Sequence, residues 1–271
     1  MNNSLFKINC LTNLHVGSGD SNYGIIDNLV QRDVLTGFPM INESSLKGSL
    51  KEFFVNEVKI KKESNTTKEE AIRDSRIRAI FGNHEGQGGY KFYAGQLLLF
   101  PVRSDKTPYL LATCPGIIKD LCDLAEVMGL DCEALRKFSK VTVNVNQPFV
   151  FRNDLSGHTI EYPEIKTKES TETVPSIFNR DKLVLMEDTD FKRICGVNKL
   201  PVIARNHLED GKSTNLWYEE IVPRKSVFYC FIGEAATENG FFQKSLEKPL
   251  QIGANASIGY GLVKFEKVTA L

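Results

Sequence analysis

Residues 6–16 read FKINCLTNLHV, and their pattern decides the fold that the sequence predicts. Apolar side chains alternate with polar ones, as in a strand with one buried face, and His15 falls on the polar face. Further strands are predicted at 97–102, 200–204, 227–232 and 262–265. Helices and hairpins lie between them without regular βα alternation, which favours an α+β fold over a doubly wound sheet.

Three segments between these strands are predicted to form helices. From Glu43 apolar residues recur at helical intervals, with Ser44 or Ser45 available as the N-cap. A second helical pattern ends at Phe81-Gly82, and a third spans much of 115–140 with a break at Gly129. We expect a mobile glycine-rich loop at 83–89 and irregular or extended structure over 142–184.

Composition and charge bound the class of protein. With 271 residues, 41% of them hydrophobic and 25% charged, the chain is long and apolar enough for a real core. We predict one domain, 1–271, that carries insertions. Lys+Arg and Asp+Glu both number 34, so the net charge is zero. Any binding of nucleic acid must therefore depend on local clusters of cations.

The cysteines and the N-terminus indicate an intracellular protein. The 6 cysteines contain no CxxC pair and no zinc-type spacing, so we expect reduced and mostly buried thiols. Residues 1–14 lack the uninterrupted apolar core of a signal peptide, and no apolar run approaches the length of a membrane span. We expect a cytoplasmic location and no membrane partner.

The loop 17–33 carries the first candidate site. Its glycine-rich start leads to Ile26-Asp27-Asn28, which would expose the Asp27 carboxylate at the lip of the sheet. A carboxylate there is suited to bind a divalent cation or to orient a ribose 2'-hydroxyl, although a turn-stabilising Asx residue is the simpler explanation from the sequence alone. His15 is a candidate general base or phosphate contact, and the alternative is an ordinary surface histidine.

The second candidate is Ser44-Ser45-Leu46-Lys47-Gly48 at the predicted helix start. Free backbone N–H groups, two hydroxyls and the Lys47 ammonium converge there, which favours an RNA phosphate. Helix capping uses the same groups, so it remains an alternative.

The third candidate is the glycine-rich loop 253–261, which contains Asn255 and Tyr260. Its small residues would let an RNA backbone approach closely. The loop has no Gly-Lys-Ser/Thr ending and opens no helix, which excludes a Walker or dinucleotide loop. Taken alone, the loop is better explained as a tight turn.

The fourth candidate is a projecting hairpin with a polar tip at 206–215 and a turn at Asp210-Gly211. Basic and aromatic side chains on such an element suit nucleotide stacking, and a contact between subunits is the alternative. The residues concerned are Arg205, His207, Lys212 and Trp217.

Taken in order, these segments resemble the backbone subunit of the type III-B CRISPR (Cmr) effector complex, within the RAMP superfamily. The resemblance rests on His15-Val16-Gly17-Ser18-Gly19, on 26–33 (IDNLVQRD), on Thr36-Gly37-Phe38-Pro39, on 44–48, on Ile80-Phe81-Gly82, on 96–104 (QLLLFPVRS), on 216–220 (LWYEE) and on the final glycine-rich loop. It covers nearly the whole chain, and its N-terminal block is the most specific part.

The resemblance implies a ferredoxin-like, RRM-related palm with inserted fingers and a protruding thumb hairpin, for which 200–230 is the candidate and to which 153–173 could also contribute. It implies that copies of the chain stack helically along a guide RNA (crRNA), beside other subunits of the effector complex. Asp27 would promote cleavage of the paired target RNA with a divalent cation, Mg²⁺ or Mn²⁺, as its metal ligand. Lys47 would contact guide phosphates, and Arg32, in the matching stretch, is a further candidate RNA contact.

Two departures and two alternatives remain. Ala94-Gly95 stands where relatives often have Asp-Ala, which weakens any mechanism with a second acid there, and Ala254 stands where a second glycine is common. One alternative function is a non-catalytic RNA-binding scaffold of the same fold. The other is a repeat-processing endoribonuclease of the same superfamily with His15 as its base.

Overall fold

The computed structural model describes residues 2–19, 24–61, 67–161, 165–235 and 240–271. The predicted segments 17–33 and 142–184 therefore lie partly outside the described residues. Helices are α1 (Glu43–Lys61), α2 (Lys68–Ile72), α3 (Ser75–Phe81), α4 (Pro115–Val127), α5 (Glu133–Phe138), α6 (Asp188–Cys195) and α7 (Phe241–Leu246), with short 3-10 turns at Asn153–Leu155 and Ala256–Ile258.

Most strands of the described chain are short. They are β1 (Asn2–Cys10), β2 (Met40–Ile41), β3 (Gly82–Asn83), β4 (Gly86–Gln87), β5 (Lys91–Phe92), β6 (Gly95–Val102), β7 (Leu110–Thr113), β8 (Phe149–Val150), β9 (Thr159–Ile160), β10 (Ile165–Lys166), β11 (Lys168–Glu169), β12 (Leu183–Leu185), β13 (Val202–Glu209), β14 (Lys212–Glu220), β15 (Val227–Glu234), β16 (Leu250–Gln251) and β17 (Leu262–Val268).

One large mixed sheet organises the molecule. Its strand order is β11-β8-β12-β7-β6-β15-β1-β17-β16, with β2 on β6 and β5 on β15. The four long strands at its centre, β6, β15, β1 and β17, pair antiparallel throughout. Parallel pairs join β12 to β7 and β11 to β8. This mixture of helices with a mixed sheet confirms the broad α+β prediction.

The helix α1 packs against α3 and α7 through a cluster of aromatic side chains. Its Leu46, Leu50 and Phe54 are fully buried. The Phe54 ring stacks on Phe242 of α7 at 5.0 Å and meets Phe81 of α3 edge-on at 5.7 Å. Helices from three parts of the chain therefore pack as one layer, because aromatic rings bury a large area each.

The predicted helix break and helix end at two glycines are confirmed, whereas the predicted mobile glycine-rich loop is wrong. The break at Gly129 between α4 and α5 is confirmed, as is the helix end at Phe81, where Gly82 has a φ of 76°. The expected mobile loop at 83–89 is instead a tight β3–β4 hairpin. A side chain at Gly88 would lie 2.1 Å from the Ile80 carbonyl oxygen, so the hairpin packs directly on α3.

The start of α1 was predicted wrongly, and two short helices were not predicted. The helix α1 begins at Glu43, which makes Asn42 the N-cap residue, so the prediction of Ser44 or Ser45 was wrong. Neither α6 nor α7 was predicted, since each spans at most 8 residues and has too few apolar positions for a clear period. The described part of the segment 142–184 is mostly irregular, with short strands and one 3-10 turn, as expected.

The cysteines and the hairpin agree with the sequence. All 6 cysteines are free and buried, and burial raises the pKa of Cys10 to about 12. Strands β13 and β14 form a separate two-stranded sheet that turns at Asp210-Gly211. None of the helices in the described parts of the chain is both long and apolar enough to cross a lipid bilayer.

Candidate active site and RNA interface

The Asp27 loop lies against the edge of β14. The Asp27 carboxylate accepts a hydrogen bond from the Tyr218 backbone N–H at 2.8 Å, and the Asp27 N–H donates to the Tyr218 carbonyl at 3.1 Å. The Glu220 N–H donates in turn to the Asn28 carbonyl. The carboxylate is therefore held by another strand rather than by its own turn, and its side chain is exposed to solvent.

A buried carboxylate, Glu219, joins this loop to the base of the hairpin. It accepts hydrogen bonds from Arg205 Nη1, Trp217 Nε1 and Asn255 Nδ2, each at 2.9 Å, and from Asn28 Nδ2 at 3.3 Å. Burial raises the pKa of Glu219, but the bonds from Arg205 and Trp217 and the Arg205 charge outweigh it, so the net pKa is lowered. Glu219 is therefore ionised at neutral pH.

The adjacent Glu220 is fully buried and holds the start of the loop. Its Oε1 lies 2.5 Å from Arg32 Nη2, and its Oε2 accepts from the Val30 N–H at 3.2 Å. Arg32 also donates to the carbonyls of Gly37 and Cys195. The Arg32 guanidinium is thus occupied inside the protein, and the prediction that it contacts RNA has no support in this geometry.

His15 is buried, so the prediction that it lies on the polar face was wrong. The strand β1 ends at Cys10, and the chain then turns, which removes the alternation that placed His15 outward. His15 Nδ1 lies 2.7 Å from the Glu220 carbonyl oxygen. Because a carbonyl can only accept, Nδ1 carries the proton and Nε2 is the basic nitrogen in the neutral ring.

The start of α1 is joined to the same region through Gln31. This buried amide donates to Ser45 Oγ at 2.9 Å and to the Gly17 carbonyl, and its oxygen accepts from the Asn42 N–H at 2.8 Å. Ser44 is exposed and Lys47 half-buried on the first turns of α1. The predicted phosphate contacts on α1 are therefore fixed relative to the Asp27 loop.

The final glycine-rich loop packs onto the His15 segment. The Ala254 N–H donates to the His15 carbonyl, and a side chain at Gly253, whose φ is 80°, would lie 2.3 Å from that oxygen. Asn255 has a φ of 65° and reaches Glu219, while the Tyr260 N–H returns to the Asn255 carbonyl. Asn255 thus has a structural partner, and Tyr260 is half-buried at the end of the turn.

Residues at the hairpin tip stand away from this network. Arg205 lies 5.4 Å over the Trp217 ring at the base of the hairpin. His207 and Lys212 are exposed, and His207 has Glu209 at 3.6 Å as its acidic neighbour. The predicted nucleic-acid contacts on the hairpin thus divide into a fixed pair at the base and an exposed pair near the tip.

Sequence reasoning missed Glu219, Glu220, Gln31 and Asn28 as organising residues. The signal was the pair Glu219-Glu220 at the end of an apolar strand pattern, followed by Ile221-Val222. Neighbouring residues of a strand point to opposite faces, so one of two adjacent glutamates normally faces inward. A buried carboxylate needs a partner, which would have directed attention to Arg32 and Arg205.

The sequence matches a known protein family and is similar to a named protein. The family model described as RAMP superfamily matches residues 7–264. The protein named CRISPR system Cmr endoribonuclease Cmr4 from Pyrococcus furiosus (strain ATCC 43587 / DSM 3638 / JCM 8422 / Vc1) is 27% identical over 287 residues, covering 94% of this chain and 92% of that protein.

Solved structures share the fold. A type III-B Cmr-beta structure bound to cognate target RNA, determined by cryo-EM, contains a chain that superposes with a TM-score of 0.79 at 23% identity, covering 98% of this chain and 97% of that one. The crystal structure of oligomeric Cmr4 from Pyrococcus furiosus gives a TM-score of 0.68 at 20% identity, covering 99% of each chain.

Proposed function

The chain belongs to the RAMP superfamily, and from this premise we propose that it is a Cmr4-like backbone subunit of a type III-B CRISPR effector complex. It binds guide RNA, stacks with copies of itself and with the other subunits of the complex, and cleaves the target RNA that pairs with the guide. The whole-length similarity to a protein named as a Cmr endoribonuclease supports both the assembly and the nuclease activity.

The arrangement of the central strands supports a ferredoxin-like palm. The order β17-β1-β15-β6, all antiparallel, with α1 between β1 and β6 and α7 between β15 and β17, has the βαββαβ connectivity of that fold. We assign the inserted segment from α4 to β12 to the fingers and the β13–β14 hairpin to the thumb. RNA-binding proteins commonly use this kind of sheet as a platform.

The observation that carries the nuclease proposal is the exposed Asp27 carboxylate on a fixed backbone. Tyr218 and Asn28 hold the loop on β14, and within the described residues only one carboxylate oxygen of Asp27 is hydrogen-bonded. The other oxygen is open to a ligand. A carboxylate held rigidly at the protein surface is preorganised for a substrate, which lowers the entropy cost of reaction.

The chemistry proposed for Asp27 is activation of the target ribose. The carboxylate accepts the proton of a 2'-hydroxyl, the O2' atom bonds to the adjacent phosphorus, and the bond from phosphorus to O5' breaks. The leaving O5' takes a proton from water, which gives a 2',3'-cyclic phosphate and a 5'-hydroxyl. His15 is a less direct candidate for a catalytic role, because its ring is buried and its Nδ1 proton is held by Glu220.

A divalent cation, Mg²⁺ or Mn²⁺, would have Asp27 as its protein ligand. Within the described residues no group of three or more His, Cys, Asp or Glu side chains is arranged to hold a metal. The described residues alone therefore do not supply a complete metal site, since such ions need about six oxygen ligands. The steps above involve only the protein and the RNA.

The decisive experiment is Asp27→Asn in the assembled complex, with labelled target RNA. The amide keeps the size and can still accept from the Tyr218 N–H, but it cannot take a proton. We expect target cleavage to fall at least about a hundredfold, with target affinity and assembly unchanged. A matched control is Asp105→Asn, an exposed aspartate near β7.

Two results would contradict the proposal. Full cleavage by the Asp27→Asn complex would favour the scaffold, with any cutting done elsewhere. Metal-independent cleavage of precursor repeat RNA by the isolated chain, abolished by His15→Ala, would favour the repeat-processing endoribonuclease.

A further inference from the structure

A cavity of about 490 Å³ lies on the face of the central sheet that carries Lys7 and Asn9. Its other walls come from β6, β7, β15, β17 and the segment 176–182. An adjoining cavity of about 670 Å³ shares Tyr109 and Lys225 with it and continues past Arg224. None of the candidate RNA-binding or catalytic residues named above lines either cavity.

Tyr109 stands at the junction of the two cavities. Lys182 Nζ donates a hydrogen bond to its phenol oxygen at 3.0 Å and lies 4.3 Å over its ring. The bond from Lys182 lowers the pKa of Tyr109 against a smaller opposing effect of burial, and the charges of Lys182, Lys225 and Arg224 lower it further. Three cations, Lys182, Lys225 and Arg224, therefore act on the Tyr109 hydroxyl at the junction of the cavities.

Among the residues that the structure describes, Lys182, Lys225 and Arg224 have no acidic partner. Across the described ranges no carboxylate oxygen lies within 4.0 Å of Lys182, Lys225 or Arg224. Lys7, on the same wall of the cavity, does have an acidic partner, since its Nζ lies 2.9 Å from Glu266 Oε1. Lys182 and Lys225 are half-buried, so they lose part of their hydration without gaining a counter-charge. An anion in the cavity would supply it.

The backbone at Lys225 is also unusual. Its φ is 77°, a left-handed conformation that favours glycine, and its N–H donates to the Cys10 carbonyl at 2.8 Å. A lysine there costs stability that a glycine would not. Residues held in such conformations cluster at ligand sites.

We propose that this cavity binds a phosphate group. Lys182 and Lys225 contact the phosphate oxygens directly, and the Tyr109 hydroxyl, which accepts from Lys182, donates its own proton to the ligand. The phosphate belongs either to a free nucleotide or to an RNA backbone, and both present the same oxygens. The inference does not depend on Asp27 or on the proposed cleavage.

The test is isothermal titration calorimetry on the purified full chain with two probes, AMP and the 5'-phosphorylated trinucleotide pUUU. The variants are Lys182→Gln and Lys225→Gly, and the control is Lys244→Gln, an exposed lysine on α7 that lines neither cavity. We expect each cavity variant to weaken binding at least about tenfold, since it removes a charge-assisted hydrogen bond. The control should bind as the native chain does.

The two probes separate the sources of the phosphate. Binding of AMP that both cavity variants weaken supports a nucleotide ligand. Binding of pUUU alone, weakened in the same way, supports an RNA phosphodiester. If neither probe binds at millimolar concentration, or if both cavity variants bind like the control, the proposal is wrong.

Folding is controlled separately. Lys225→Gly relaxes the left-handed residue, so its thermal midpoint should equal or exceed that of the native chain. If Lys182→Gln fails to fold, Lys225→Gly and Tyr109→Phe decide the question alone. Asp27→Asn should bind both probes unchanged, which keeps this result distinct from the fate of the nuclease proposal.

Discussion

The base and the tip of the β13–β14 hairpin differ in the burial and the partners of their side chains. At the base, Glu219 and Glu220 are buried and each has a basic partner, Arg205 and Arg32 respectively. Towards the tip, Leu208 and Leu216 are each 57% exposed. Buried ions hold one end in a single geometry, while exposed apolar side chains leave the other free to meet a partner.

The difference teaches where the hairpin is anchored and what it is free to contact. The Asp27 loop attaches at positions 218 and 220, within the anchored part of β14. A movement of the base would therefore move the Asp27 loop, whereas a change at the tip would not. Stability and catalysis should depend on the base, and assembly on the tip.

The largest effect is expected from Glu220→Ala. This substitution removes the carboxylate that pairs with Arg32 and leaves the guanidinium charge largely buried without it. Such a loss lowers the free energy of unfolding by about 3–5 kcal/mol. Urea denaturation followed by tryptophan fluorescence at Trp217 measures it. The matched control is Glu209→Ala near the tip, which should be indistinguishable from the native chain. A loss below ~1 kcal/mol for Glu220→Ala would show that the base is not the anchor.

A smaller effect is expected from Glu219→Gln, which keeps the shape but removes the charge. We expect a loss of about 1–3 kcal/mol at pH 7, because Arg205 loses its ionic partner. Since the folded pKa of Glu219 lies below its ordinary value, its stabilising contribution is present above the unfolded pKa and is lost as pH falls through the folded pKa.

The measurement for Glu219→Gln is therefore a pair of urea titrations, at pH 7 and near pH 4. The gap between the variant and the native chain should narrow at the lower pH. Target cleavage should also fall, since the hydrogen bond from Asn28, next to Asp27, loses its charged acceptor. A gap that widens as pH falls would contradict the assigned ionisation.

The same contrast explains what sequence could predict. The hairpin, its Asp210-Gly211 turn and the exposed Asp27 follow from local pattern, because turns and alternation act over a few residues. His15 was misplaced, since a chain reversal after Cys10 ended the alternation. The partners of Glu219 span residues 28 to 255, and contacts that far apart along the chain leave no local signal.

The smallest effect on stability is expected from the double substitution Leu208→Ser, Leu216→Ser. In the β13–β14 pairing Leu216 faces Asn206, and both leucines are exposed, so their loss should change the free energy of unfolding by at most about 0.5 kcal/mol. Self-association should nevertheless weaken, because burial of exposed leucines favours assembly. Sedimentation velocity over a concentration series measures it, with Ser213→Ala as the control. Unchanged self-association would assign the contact between copies to another surface, and a marked loss of stability would mean that the tip is held by the protein itself.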